Sequence, residues 1–291
     1  MEQVQSTYEA VRTAFIDVNG VSIAYRSIGP ASAVPLLCLQ HFTGNMDGWD
    51  PAVINGLSGN RQVILFDNTG VGESGGYTPD TVAAMAQDTI DFLDALGLRK
   101  VDLLGFSLGG FISQLIMNEK PEIVRKAILV GTCQQGGDGI SVFREFVGGA
   151  AGLEGADLYF YFFFEDTLTS RSLGYALLKR FQQRDPNWHP GYTAQTMEAQ
   201  TRAILGWGNV PHPTVPLLTK IRHPVLIVNG SNDHMFATAN SYTMFQQLPN
   251  AILALYPDSA HGSFFQYPGL FNSHANWFLD NFKGNDFKLI S

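Results

Sequence analysis

Six short, almost uninterrupted apolar runs recur along this chain, at residues 35–39, 63–66, 101–104, 127–130, 225–228 and 252–255. A strand with one wet face alternates apolar and polar residues. These runs do not, so both faces should be buried, as in a parallel sheet covered by helices. Helical spacing fills the intervals. From 81 to 96 the inward positions Val82, Met85, Ala86, Thr89, Leu93 and Leu96 follow a three-four rhythm, with Thr78 expected as cap and Pro79 as first helical residue. Phe111, Leu115 and Ile116 mark another helical face, and Trp277, Phe278 and Phe282 a third. Upstream, residues 15–18 and 21–25 alternate around Asn19-Gly20, a pair suited to a tight antiparallel hairpin. A hairpin followed by alternating strands and helices predicts a mainly parallel α/β sheet.

One stretch breaks the rhythm. Residues 134–219 show no convincing strand, are punctuated by Gly136-Gly137, Gly148-Gly149 and Gly152, and are dense in aromatics. They read as a helical insertion, leaving 1–133 and 220–291 as one core domain. The chain carries 18 Lys and Arg against 26 Asp and Glu, a net charge of −8. A nucleic-acid surface gathers cations instead, so no nucleic-acid partner is expected. The longest aromatic-aliphatic run, 158–164, is too short to span a bilayer, and residues 1–14 lack a signal-peptide core. A cytoplasmic protein without a membrane partner is the expectation, with its oligomeric state unread. Cys38 and Cys133 form no CxxC pair. The histidines lack metal-ligand spacing, and Gly70-Val71-Gly72 is not followed by a timely helix, so neither metal nor cofactor is expected.

The pattern G-x-S-x-G occurs at Gly72–Gly76 and at Gly105–Gly109. Only the second has an apolar run entering and helical spacing leaving, the context in which a serine is lifted clear at a strand-to-helix turn. Ser74, amid Gly70, Gly72, Gly75 and Gly76, reads as a loop serine. A serine hydroxyl needs a base, and the base needs an orienting acid. His261 follows the run at 252–255, and Asp233 follows the run at 225–228. Both fall at the carboxyl edge of the sheet, where ligands bind. Asp138 is the reserve acid. His223 precedes a strand, His274 sits on the last helix, and His189 and His212 lie in the insertion.

Gly105-Phe106-Ser107-Leu108-Gly109-Gly110, Gly230-Ser231-Asn232-Asp233 and Ala260-His261-Gly262 together resemble the nucleophile elbow, acid loop and histidine loop of the α/β-hydrolase fold superfamily. The resemblance covers nearly the whole chain. It implies an eight-stranded, mostly parallel sheet with helices on both faces, a helical cap at 134–219, and a strand between those bearing Cys38 and Cys133, which keeps both thiols free. It also implies an oxyanion hole from the Phe42 and Leu108 N–H groups. Gln40-His41 stands where the family commonly has His-Gly, so the usual buttress is missing and His41 is open to reach the pocket.

The implied activity is that of a serine hydrolase. Ser107 attacks a carboxylic ester or lactone, His261 relays the proton, Asp233 orients the imidazole, and an acyl-enzyme forms. The partner is a small, largely apolar substrate, contacted by His41, Phe146, Tyr159, Phe163, Trp188 and Trp207. Packing within the insertion explains the 159–164 aromatics equally well. The alternatives are a C–C bond hydrolase or hydroxynitrile lyase with the same triad, a slowly hydrolysing ligand receptor, and an inactive scaffold.

Overall fold

The computed structural model describes residues 7–183, 192–209 and 217–284. Eight strands run β1 Ala14–Val18, β2 Val21–Ile28, β3 Leu36–Leu39, β4 Val63–Phe66, β5 Val101–Phe106, β6 Val124–Val130, β7 Val225–Gly230 and β8 Ala251–Tyr256. They form one sheet in the order β1-β2-β4-β3-β5-β6-β7-β8. Strand β2 is antiparallel to both of its neighbours, and every other pairing is parallel. Asn19 and Gly20, at φ 54° and 84°, make the hairpin turn as the residue pair required.

The helices described are α1 Pro51–Ser58, α2 Val82–Ala95, α3 Leu108–Glu119, α4 Phe143–Gly149, α5 Gly155–Phe163, α6 Leu168–Phe181, α7 Ala194–Gly208, α8 Ala239–Gln247, α9 Ser263–Gln266 and α10 Pro268–Asn281. Two apolar clusters explain the uninterrupted runs. Leu37, Leu39, Leu103, Leu129 and Ile227 face α2, α3 and α8. Leu36, Cys38, Leu104, Phe106, Ile128 and Val228 face α1 and α10. Alternate side chains enter opposite layers, so neither face shows water a polar pattern.

Helix α2 starts later than expected. Thr81, not Thr78, caps it, accepting from the Ala84 N–H at 3.1 Å. Thr78 is engaged elsewhere, its hydroxyl 3.0 Å from that of Thr196 on α7. Trp277 is half exposed, so Phe278 alone of that pair faces the core. Cys38 and Cys133 are free and buried, with β5 between their strands. Burial pushes both thiols up in pKa, which keeps them protonated.

The described residues between β6 and β7 hold α4 to α7 and no strand. An ion pair fastens α6 to the core. Asp50 caps α1 by accepting from the Ala52 N–H, and its two oxygens accept from Arg180 Nε and Nη2 at 2.7 Å each. Arg180 also donates to the Phe265 carbonyl at 3.1 Å. Asp50 is fully buried, and desolvation raises its pKa in spite of the guanidinium. Replacing Arg180→Ala strands that carboxylate, so urea unfolding at pH 7 should show a loss of about 3 kcal/mol. At pH 5 the loss should shrink, because the stranded group takes up a proton.

Candidate active site

Strand β5 ends at Phe106 and α3 begins at Leu108, so Ser107 is the whole turn between them. Its backbone sits at φ 56°, ψ −115°, a conformation that strains an L residue. The end of β6 holds it there. Ser107 N–H donates to the Val130 carbonyl at 2.9 Å, and the Thr132 hydroxyl donates to the Ser107 carbonyl at 2.9 Å. A Cβ on Gly105 would strike the Gly109 carbonyl, and one on Gly109 would strike the Leu39 carbonyl. Crowding therefore demands glycine at both flanks. Ser74 is structural by contrast: its hydroxyl donates to the Asp67 carbonyl at 2.7 Å and accepts from the Ala24 N–H at 2.9 Å.

His261 and Asp233, from the loops after β8 and β7, meet with Nδ1 2.8 Å from Oδ2. The other carboxylate oxygen accepts from the Met235 and Phe236 N–H groups at 2.9 and 3.1 Å. Both side chains are buried. Donation from Nδ1 to a carboxylate leaves the lone pair on Nε2. That Nε2 and the Ser107 Oγ have no hydrogen-bond partner among the described residues, and both residues line the same cavity. Asp138 instead bonds Asn240 through its backbone. His223 bonds the Pro121 carbonyl and His274 the Tyr256 hydroxyl.

The loop after β3 has its own brace. Gln40 Oε1 accepts from the His41 N–H at 3.0 Å, and its Nε2 donates to the Asn45 carbonyl at 2.8 Å. A glutamine thus does the bracing that the missing histidine left unassigned. The His41 carbonyl accepts from the Gly44 N–H at 3.0 Å. In a trans peptide the C=O and N–H point opposite ways, so the Phe42 N–H faces away from that turn. Leu108 is the first residue of α3, and its N–H has no acceptor within the helix.

The cavity measures about 420 Å³, and His41, Phe42, Ser107, Tyr159, Phe163 and His261 line it. Phe163 contacts two imidazoles, 5.1 Å from His41 and 6.2 Å from His261 between ring centres. Its carbonyl accepts from the Gly262 N–H at 2.9 Å. No Asp, Glu, Lys or Arg stands among the described lining residues.

Two expected contacts are corrected. Trp207 stacks on Phe111 at 5.0 Å and points its N–H at the Cys133 carbonyl, so it belongs to the core. Phe146 packs on Tyr161 and against the back of the wall residue Phe162, and is not itself among the lining residues. Trp188 lies outside the described residues. The wall also includes Phe162, Tyr192, Met197 and Met235, which the sequence reading missed. Met235 was the traceable one, two residues after an acid whose oxygen needs local N–H donors.

A family model described as alpha/beta hydrolase fold matches residues 34–268. A solved structure of an alpha/beta hydrolase fold protein from Chitinophaga pinensis superposes with a TM-score of 0.91 at 48% identity, covering 94% of this chain and 99% of that one. A protein of Caulobacter sp. (strain K31), named provisionally as the carbamate hydrolase RutD, is 26% identical over 260 residues, 86% of this chain and 92% of its own length. The human serine hydrolase BPHL is 23% identical over 276 residues, 93% of this chain and 87% of its own.

His41 gives the site a pH signature. Burial pushes its pKa down to about 3, helped by the nearby His261 and opposed by a 2.7 Å bond from its ring to the Phe42 carbonyl. The unfolded chain takes up that proton first as pH falls, so the contribution is full above about 6.5 and shrinks below it. Between pH 7 and pH 5 this one group should cost the folded state about 2 kcal/mol. Asp67, pushed up to about 6 by burial, acts in the opposite sense. Urea unfolding of wild type beside His41→Gln separates them: the variant should lose less stability on acidification, and identical slopes would contradict the assignment.

Proposed function

The chain belongs to the alpha/beta hydrolase fold family, and from that premise we propose that it is a serine hydrolase cleaving a neutral, largely apolar carboxylic ester or lactone. The carrying observation is the bonded His261–Asp233 pair, whose imidazole shares a cavity with a serine on a strained turn. In this reading the Ser107 Oγ attacks the carbonyl carbon while His261 Nε2 takes its proton. Asp233 fixes the ring and stabilises the imidazolium. The new oxyanion is received by the N–H groups of Phe42 and Leu108, each worth about 3 kcal/mol to the transition state. Collapse expels the alcohol, which leaves with the proton held by His261. Water then enters by the same route and releases the acid, restoring the serine.

The cavity wall supports the substrate class. Its described lining offers no fixed charge, and His41 stays neutral at ordinary pH, so nothing there would hold a charged acyl group. Helices α4 to α7 would serve as the cap over this site. A cytoplasmic location belongs to the same proposal, and the human relative is itself named a serine hydrolase.

The test is a panel of acyl esters of graded length, lactones and one ester bearing a free carboxylate, run on wild type and variants. Ser107→Ala and His261→Ala should each cost about a million-fold in turnover, and the double variant little more, because the groups act as a unit. A fluorophosphonate should label wild type at Ser107. Turnover surviving in Ser107→Ala would sink the mechanism, and a carboxylate-bearing ester turning over fastest would sink the substrate class.

A further inference from the structure

Phe42 sits between two peptide planes, and three of their four polar atoms are bonded. The His41 carbonyl accepts from the Gly44 N–H at 3.0 Å. The Phe42 carbonyl accepts from His41 Nδ1 and from the Thr43 hydroxyl, each at 2.7 Å. The Thr43 N–H donates to Gln200 Oε1 at 2.6 Å. The atom without a partner among the described residues is the Phe42 N–H, the donor that the proposed reaction requires. Only one of these anchors comes from outside the loop: Gln200 lies on α7, 157 residues further along the chain.

We propose that Gln200 is a positioning residue for the oxyanion hole, holding the Phe42 N–H in place through Thr43. The inference rests on the serine-hydrolase reading above. Thr43 stands at φ 59°, where an L residue is strained, so its peptide plane turns away unless something holds it. Gln200 is fully buried, yet its Nε2 has no partner among the described residues. A buried orphan donor is destabilising, so packing alone favours an apolar side chain at this position. The acceptor oxygen is what the glutamine contributes.

The helix that carries Gln200 is registered against the core one turn earlier. The Thr196 hydroxyl lies 3.0 Å from the Gly70 carbonyl, and Gln195 Nε2 donates to the Thr78 carbonyl at 3.0 Å. Thr196 and Gln200, four residues apart, share one face, so docking of α7 delivers the Gln200 oxygen to Thr43. If α7 lifts, Thr43 loses its acceptor, and the Phe42–Thr43 plane next to the donor plane loses its outside anchor. Docking of α7 thereby becomes a condition of oxyanion stabilisation, not only of closing the cavity.

The experiment compares Gln200→Leu, which removes the acceptor, with Gln200→Glu, which keeps an oxygen there; Gln200→Met is a second acceptor-free variant should the first not fold. Each is assayed for kcat and KM on a neutral ester. Each is also assayed for affinity toward a trifluoromethyl ketone, which places an oxyanion in the hole, and toward the matching neutral alcohol, which does not. The acceptor-free variants should lose about tenfold to a hundredfold in both kcat and ketone affinity, with KM and alcohol affinity changed by less than about twofold. Gln200→Glu should recover most of the loss. Unchanged kcat and ketone affinity would overturn the inference, as would a loss shared equally by the alcohol. Either result beside an inactive Ser107→Ala leaves the serine-hydrolase reading standing, whereas an active Ser107→Ala removes that reading itself.

Discussion

A serine held at a positive φ is the constraint around which the rest of this rim is arranged. Such a conformation costs on the order of 1–3 kcal/mol and persists only where neighbours over-determine it. Here they do. The Val130 carbonyl and the Thr132 hydroxyl grip the two sides of Ser107 from the end of β6, and β6 is itself paired on both edges. The close passage of Gly105 and Gly109 leaves no room for the turn to relax. The strain sets the side chain at the N-terminus of α3, where free N–H groups and the positive end of the helix dipole favour a developing negative charge.

Three parts of the site's surround are each tied to a different helix of the segment between β6 and β7. Helix α5 takes the histidine loop, through the Phe163 carbonyl on Gly262 N–H and the ring in contact with the two imidazoles. Helix α6 takes the start of α1 and helix α9 at Phe265, through Arg180. Helix α7 takes the loop after β3, through Gln200 on Thr43. The aromatics that read as packing in the sequence therefore also contact the imidazoles, and one segment touches the histidine loop, the core wall and the loop after β3 together.

Much of this was legible from the residues. Runs buried on both faces announced the parallel core, Asn19-Gly20 announced its hairpin, and Ser107, Asp233 and His261 each followed a separate run at the same edge. What escaped depended on distant partners. Thr78-Pro79 is as good a local helix start as Thr81, and the choice is made by Thr196 and Gln195 from α7. Trp207 has the composition of a pocket aromatic, but its ring is stacked on Phe111. Gln40 carries no local sign of bracing the loop, since its second partner is a backbone carbonyl five residues on. Gln200 did leave a trace: a glutamine on the inward stripe of Thr196, Ala203, Ile204 and Trp207 is a polar residue where burial disfavours one.

The most direct measurement is rapid-quench mass spectrometry of the intact protein mixed with a neutral acyl ester. An acyl-enzyme at Ser107 requires an added acyl mass, mapped there by peptide digestion, that forms at least as fast as steady-state turnover and decays as free acid appears. Sustained turnover with no covalent adduct, or an adduct on any other side chain, would contradict it.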